Sequence, residues 1–399
     1  MPIPSSRNGA AATPSEGRAG SPHTPVRGRL PRALAAVARE RLSRVITVGD
    51  GRPRLRRGPG AERRREHERI VAQRTDHLVE IRQPLVLVSQ IQRSGGTLLS
   101  QLLDGHPEIH AHPQELRTGY PKKYDWPPLD PATGPDEWFR LLYERPTARG
   151  FAEGYSKVVD LKVRESGEET FPFVFPPLVQ KAIFEHCAAA WRPTTPRGIF
   201  DCYMTSYFNA WLDNHNLYGP PKRWVSAFAA RLNAHEDSVR TFFDTYPDGR
   251  LISIVRDPRS WFLSARRYLE VNPSPGRTRD YGDMATAVGL WIDSSRAMLA
   301  AREGYGDRFR LLTFEDLVSD TETVMRSLAE YLDISFHPSL LTPSFNGMPI
   351  KADSSFRVTG HGVSREPLSR FRELLSPEEI SYIDERATPL YHEATAVRT

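Results

Sequence analysis

The sequence predicts an α/β domain, a parallel sheet flanked by helices, behind a disordered arginine-rich N-terminal extension. Three observations predict it. From Leu85 onward, short β-branched runs alternate with stretches of helical period, the layout in which helices pack back onto a parallel sheet. The turns between them carry helix-starting residues, a glycine pair after the first run and Asp257-Pro258 after the second. Charge is split along the chain: residues 1–74 hold seventeen arginines, no lysine and six acids, net +11, which leaves about −6 for the other 325 residues.

The elements follow in order. Residues 1–77 read as the extension and 78–399 as the folded domain. One-sided charge with abundant Gly, Pro and Ser leaves too little apolar surface to order the extension by itself. A nucleic-acid arm or an organellar transit peptide has a similar composition, but plain disorder is the simpler reading, and nucleic acid is not the expected partner. Arg63 to Arg74 lead into the domain as a helix. Pro84 to Ile91 (PLVLVSQI) reads as a buried strand, and Leu98, Leu99, Leu102 and Leu103 recur at helical spacing until Gly105 and Pro107 stop the helix. An irregular insertion with helices is expected between Leu116 and Arg197. Arg250 to Val255 (RLISIV) is a second strand, running into an N-cap at Asp257. Phe309 to Phe314 (FRLLTF) is a third, followed by a helix over Asp320 to Leu332. Ser376-Pro377-Glu378-Glu379 is a capping box that opens the last helix.

Several function classes drop out. Cys187 and Cys202 cannot build a disulfide framework or a zinc site, which points to a reduced, cytoplasmic setting. The longest apolar run falls far short of the roughly 20 residues that span a bilayer, so a soluble protein without a membrane partner is expected. No metal is expected either: His106, His110 and His112 alternate without ligand spacing.

The segment after the first strand, Gln92-Arg93-Ser94-Gly95-Gly96-Thr97, is built to hold an anion. Glycines let backbone N–H groups approach an oxyanion, the helix N-terminus adds its dipole, and Arg93 adds a forked permanent cation. A tight turn that merely needs glycine would read the same way. No Gly-Lys-Ser/Thr follows, which argues against the usual loop-type ATPase or kinase.

QRSGGTLLSQLLDGHPEI resembles the 5′-phosphosulfate loop of sulfotransferases that use 3′-phosphoadenosine-5′-phosphosulfate (PAPS). It is most similar to the branch with arginine at the basic position, which includes the tyrosylprotein sulfotransferases. The resemblance implies a P-loop-like fold. It also implies that Arg93 meets the transferring sulfate while Ser94, Gly95, Gly96, Thr97 and Leu98 at the helix start hold the 5′-phosphate. Gly96 departs from the family, which commonly has threonine or serine there. The family's second motif is an arginine after a strand and a serine eight residues on, together gripping the 3′-phosphate; Arg256 and Ser264 match it. Weaker similarity extends through LLTFEDL (Leu311 to Leu317) and SSFRVTGHGVS (Ser354 to Ser364), whose Arg357 and glycines would close over the nucleotide, and into RFRELLSPEEISYIDE.

The implied reaction is sulfuryl transfer from PAPS as cosubstrate to a hydroxyl of a carbohydrate or other small-molecule acceptor. It needs charge stabilisation on the transferring group and a base for the acceptor proton. Arg93 fits the first task. Gap-free counting along the arginine branch puts the base on Gln114, which is not a useful base, so Glu115 next door leads and His112 follows. Tyr207 to Trp224 is rich in aromatics and amides, suited either to an acceptor pocket or to the core. A catalytically silent nucleotide-binding module and a phosphotransferase remain as alternatives.

Overall fold

The computed structural model describes residues 46–49, 52–55, 60–117, 125–144, 173–350, 356 and 362–396. The chain divides into two units, Met1–Arg54 and Leu55–Thr399. Two short strands, β1 (Ile46–Gly49) and β2 (Arg52–Leu55), pair only with each other.

The second unit is built on five strands: β3 (Leu85–Val88), β4 (Ile109–Glu115), β5 (Trp224–Phe228), β6 (Arg250–Val255) and β7 (Phe309–Thr313). They form one sheet in the order β4-β5-β3-β6-β7, and every pairing is parallel. β3 alternates its side chains between two apolar layers. Leu85 and Leu87 join one core with Trp261 and Trp291, and Val86 and Val88 join the other with Leu98, Leu99 and Leu102. Helices cover both layers. The chain leaves β3 toward β5 and β4 on one side and later returns to β6 on the other. The C-terminal end of β3 is therefore the crevice where open α/β sheets bind ligands.

Local signals account for most boundaries. β6 spans Arg250–Val255 as the sequence indicates, and Asp257 caps the helix Pro258–Val271 by accepting from the Arg259 and Ser260 amides. The capping box at Ser376 opens the helix Pro377–Arg386. β3 is shorter than its apolar run, because Ser89 to Ile91 have already turned into the loop. β7 stops at Thr313, whose hydroxyl caps the helix Phe314–Ser319, so Phe314 starts that helix instead of ending the strand. The helix Gly60–Asp76 is docked: Ile70 and Val71 pack on the core, and Arg74 donates to the Leu212 carbonyl at 2.9 Å.

Within the insertion after Leu116, the described part holds the helices Pro135–Leu142, Pro177–Trp191 and Pro196–Ala210. Residues 118–124 and 145–172 lie outside the described residues, as do Arg357 and all of 351–361 except Phe356. Among the described residues, no helix is long and apolar enough to cross a membrane.

Candidate active site

The two arginines singled out in the sequence meet because β3 and β6 are neighbours, with Val88 paired to Ile252. β6 runs three residues past the level at which β3 ends, and each strand hands the chain to a turn that aims an arginine at one pocket of about 260 Å³. Arg93, Gly95, Gly96, Thr97, Leu98, Glu115, Arg256 and Ser264 all line it. Ser94 does not: it is 1% exposed, and its Oγ has no partner.

The loop is held from several sides. The Gln92 carbonyl accepts from Trp261 Nε1 at 2.7 Å, and the Arg93 carbonyl accepts from Arg256 Nη1 at 2.8 Å. Arg93 (φ 70°) and Gly95 (φ 106°) both adopt the left-handed conformation, which costs a non-glycine residue about 1–2 kcal/mol and curls the chain around the space where an anion sits. A side chain at Gly95 would also strike the Phe314 ring, 2.7 Å from the Cβ position. At Gly96 a Cβ would lie 1.8 Å from Gln90 Nε2 and 2.5 Å from Phe228 Cε2. Gln90 and Phe228 fill the space that a threonine or serine would need, which gives the departure at Gly96 a steric cause.

Arg93 Nε donates to Ser264 Oγ at 3.4 Å, and its guanidinium lies 4.8 Å from the Tyr268 ring. Arg256 is 6% exposed, and its guanidinium sits 4.1 Å from the centre of the Phe314 ring. Its Nε has no hydrogen-bond partner. Burial, reinforced by the like charge of Arg93, pushes its pKa down to about 10, against the pull of Glu315 and Asp257. A buried cation with an unused donor is expensive unless an anion completes it.

Of the lining residues that the sequence did not single out, four stand out. Arg370 lies past the second motif, its guanidinium 4.6 Å from the Phe356 ring, with a buried Nη1 that lacks a partner. Arg117 stands two residues after Glu115 and donates to Glu115 Oε2 at 3.3 Å. Tyr268 follows Ser264 by one helical turn, a spacing that would have put it on the same face. Phe314 hid as an ordinary strand residue. Four arginines (93, 117, 256 and 370) and one carboxylate, Glu115, line the pocket; Glu115 engages Arg117 and Glu366 engages Arg370, and the wall as a whole is cationic, suited to an anionic ligand.

The two base candidates part company. β4 slips against β5 between Ala111 and Glu115, four residues advancing against two, and Glu115 emerges paired with Phe228 at the pocket wall; Gln114 does not line it. His112 is not brought to the pocket. Its side chain is fully buried, with Nε2 3.1 Å from Glu144 Oε1 and Nδ1 2.9 Å from the Gln114 carbonyl. His106 bonds the Ser335 carbonyl, and His110 faces a separate small cavity beside Trp211. In the Tyr207 to Trp224 stretch, Tyr207, Phe208 and Trp211 are core, and Trp224 begins β5. None of the four lines the pocket.

No curated protein matches the chain. Among solved structures, the sulfotransferase domain from the curacin biosynthetic pathway is 15% identical over 77% of this chain and 98% of that one, with a TM-score of 0.41. The sulfotransferase domain from the Synechococcus PCC 7002 olefin synthase is 18% identical over 77% and 95%, also at 0.41. Sulfotransferase STF9 from Mycobacterium avium is 18% identical over 80% and 87%, at 0.35. A sequence model described as "Sulfotransferase family" matches residues 84–338, more than half of the chain and a span that includes Arg93, Glu115, Arg256 and Ser264. The chain belongs to the sulfotransferase family.

Proposed function

We propose that the protein transfers a sulfuryl group from PAPS to a hydroxyl of a carbohydrate or other small acceptor. The observation that carries the reading is the convergence of Arg93, Arg256, Ser264 and Glu115 on one pocket. The residues present fit the donor: Arg256 Nε and Arg370 Nη1 are unused donors, and the wall is cationic. The loop from Arg93 to Leu98 holds the 5′ end with backbone amides and the helix N-terminus. Arg256 and Ser264 hold the 3′-phosphate, the group that separates this nucleotide from ordinary adenylates.

The donor supplies the sulfuryl group on a phosphate leaving group. Arg93 compensates the charge that gathers on the leaving oxygens, a role in which a preorganised donor is worth about 10²–10³ in rate. Glu115 takes the acceptor's proton, with Arg117 orienting its carboxylate at 3.3 Å. The domain organisation follows the same proposal: a catalytic domain over 78–399, behind an extension whose final helix docks on it.

Calorimetry with adenosine 3′,5′-bisphosphate, adenosine 5′-phosphate and ATP tests the donor site. Transfer of labelled sulfate from PAPS to a panel of hydroxylated acceptors tests the reaction. Preference for the bisphosphate together with transfer supports the reading. Bisphosphate binding without transfer to any acceptor would favour a silent nucleotide-binding module, and preference for ATP would favour a phosphotransferase.

A further inference from the structure

His112 stands outside the pocket, yet its contacts and those of its partner Glu144 end on the segment that carries Glu115. That segment is weakly determined by the sheet. β4 is an edge strand, it slips register between Ala111 and Glu115, and Pro113 offers no amide to the ladder. Among the described residues, three other bonds to its backbone hold it. The Leu116 amide donates to the Phe228 carbonyl at 2.7 Å. The Gln114 carbonyl faces His112 Nδ1 at 2.9 Å, and the Arg117 amide donates to Glu144 Oε2 at 3.0 Å. Two of the three belong to the His112–Glu144 pair, one on each side of Glu115.

The pair is itself fixed. Tyr203 Oη donates to Glu144 Oε1 at 3.1 Å, the His112 ring lies 4.5 Å from the Tyr207 ring, and the two side chains are 0% and 2% exposed. Both ring nitrogens of His112 face oxygen acceptors, and both carboxylate oxygens of Glu144 receive donors. For stability alone, apolar residues of the same volume would serve as well as a buried polar pair. What the polar pair adds is direction: it sets the heights of the Gln114 carbonyl and the Arg117 amide, and so the angle at which Glu115 leaves the backbone.

We propose that His112 and Glu144 are positioning residues, a buried clamp that aims Glu115 into the pocket. This rests on Glu115 being the proton acceptor, and it makes His112 a support for the base instead of a second base. Among the described bonds, none joins the clamp to Arg93, Arg256 or Ser264, so turnover and nucleotide affinity separate.

The experiment is steady-state sulfate transfer and adenosine 3′,5′-bisphosphate calorimetry on His112→Gln, Glu144→Gln, Glu115→Gln and the double variant Glu115→Gln/Glu144→Gln. If the base is misaimed by a fraction of an ångström, kcat should fall about 10–100-fold in each clamp variant, while bisphosphate Kd stays within about twofold. The double variant should be no slower than Glu115→Gln alone, because the clamp acts only through that carboxylate. Unchanged kcat in both clamp variants, with Glu115→Gln inactive, overturns the clamp and leaves the base standing. Parallel loss of kcat and bisphosphate affinity in both variants also overturns it, since the pair would then serve the fold. If Glu115→Gln keeps its rate and pH profile, the base assignment fails and takes the clamp with it.

Discussion

Gly96→Ser restores the hydroxyl common in the family and should nevertheless damage this protein. The new Cβ would lie 1.8 Å from Gln90 Nε2, 2.9 Å from Gln90 Cδ and 2.5 Å from Phe228 Cε2. Gln90 is fully buried, and Phe228 closes β5, so neither yields freely. Overpacking of this kind costs about 1–3 kcal/mol, and at about 1.5 °C per kcal/mol for a domain of about 320 residues the melting temperature should drop by about 1.5–4.5 °C. The clash has a named partner and a rescue. Neither polar atom of the Gln90 side chain has a hydrogen-bond partner, so Gln90→Ala removes the closer of the two obstructions, and a poorly satisfied amide with it, while Phe228 at 2.5 Å remains. Thermal denaturation of the parent, both single variants and the double variant closes a cycle. The coupling should favour the double variant by at least about 1 kcal/mol, within the range for residues in contact. A Gly96→Ser protein as stable as the parent, with tighter bisphosphate binding, would refute the reasoning: the space would be open and the hydroxyl welcome.

Three other predictions test the grips and the core. Arg256→Ala should weaken adenosine 3′,5′-bisphosphate binding about 10- to 150-fold, the value of a charge-assisted bond, and adenosine 5′-phosphate binding far less; calorimetry showing equal losses would remove the 3′-phosphate from Arg256. Arg93→Ala should lower kcat by about 10²–10³ in labelled-sulfate transfer. Far from the pocket, buried Asp201 accepts from Tyr246 Oη at 2.7 Å, and its pKa rises from the ordinary 3.8 to about 6, chiefly through burial. The folded state therefore holds that proton more tightly than the unfolded chain. Its contribution is fully present below 3.8 and is lost as pH rises through about 6, a swing of up to about 3 kcal/mol. Asp201→Asn should gain stability relative to the parent across that window in urea denaturation; a pH-independent difference would count against it.

The parts of the fold legible in the sequence are those whose signals are local. β6 and its Asp257 cap, the leucine helix after β3 and the capping box at Ser376 each announce themselves within a few residues. β4 and β5 do not. IHAHPQE carries two histidines and a proline, and WVSAF sits at the end of a stretch whose aromatics suit a binding surface, so neither resembles the apolar run of a buried strand. Only pairing with β3 makes β5 a central strand, and pairing is non-local. The same limit governed the site. Arg93 and Arg256 were readable because each follows its own strand at a turn with recognisable chemistry. Gap-free counting fell one residue short, on Gln114, since it assumes one register and β4 has two, and Glu115 led only on its chemistry. Arg370 enters from a segment more than a hundred residues past Arg256; it opens the stretch that resembles the family's C-terminal end, but no turn or spacing there singles out this arginine as facing the pocket.

The pocket is also where the protein accepts a cost to stability. Arg256 is buried with Nε unused, its pKa held near 10, and its nearest cationic neighbour is the other grip, Arg93. Glu315 draws toward it but is itself engaged by Tyr391 and the Asp257 amide, and burial raises its pKa; its pull does not cancel the cost. A phosphate placed beside Arg256 would use its free Nε and offset the like charge of Arg93, so the binding energy includes relief of a cost already present in the free protein. A nucleotide with no phosphate at that position leaves the burial cost of Arg256 in place. Discrimination between them then arises as much from the state of the empty pocket as from contacts made in the full one.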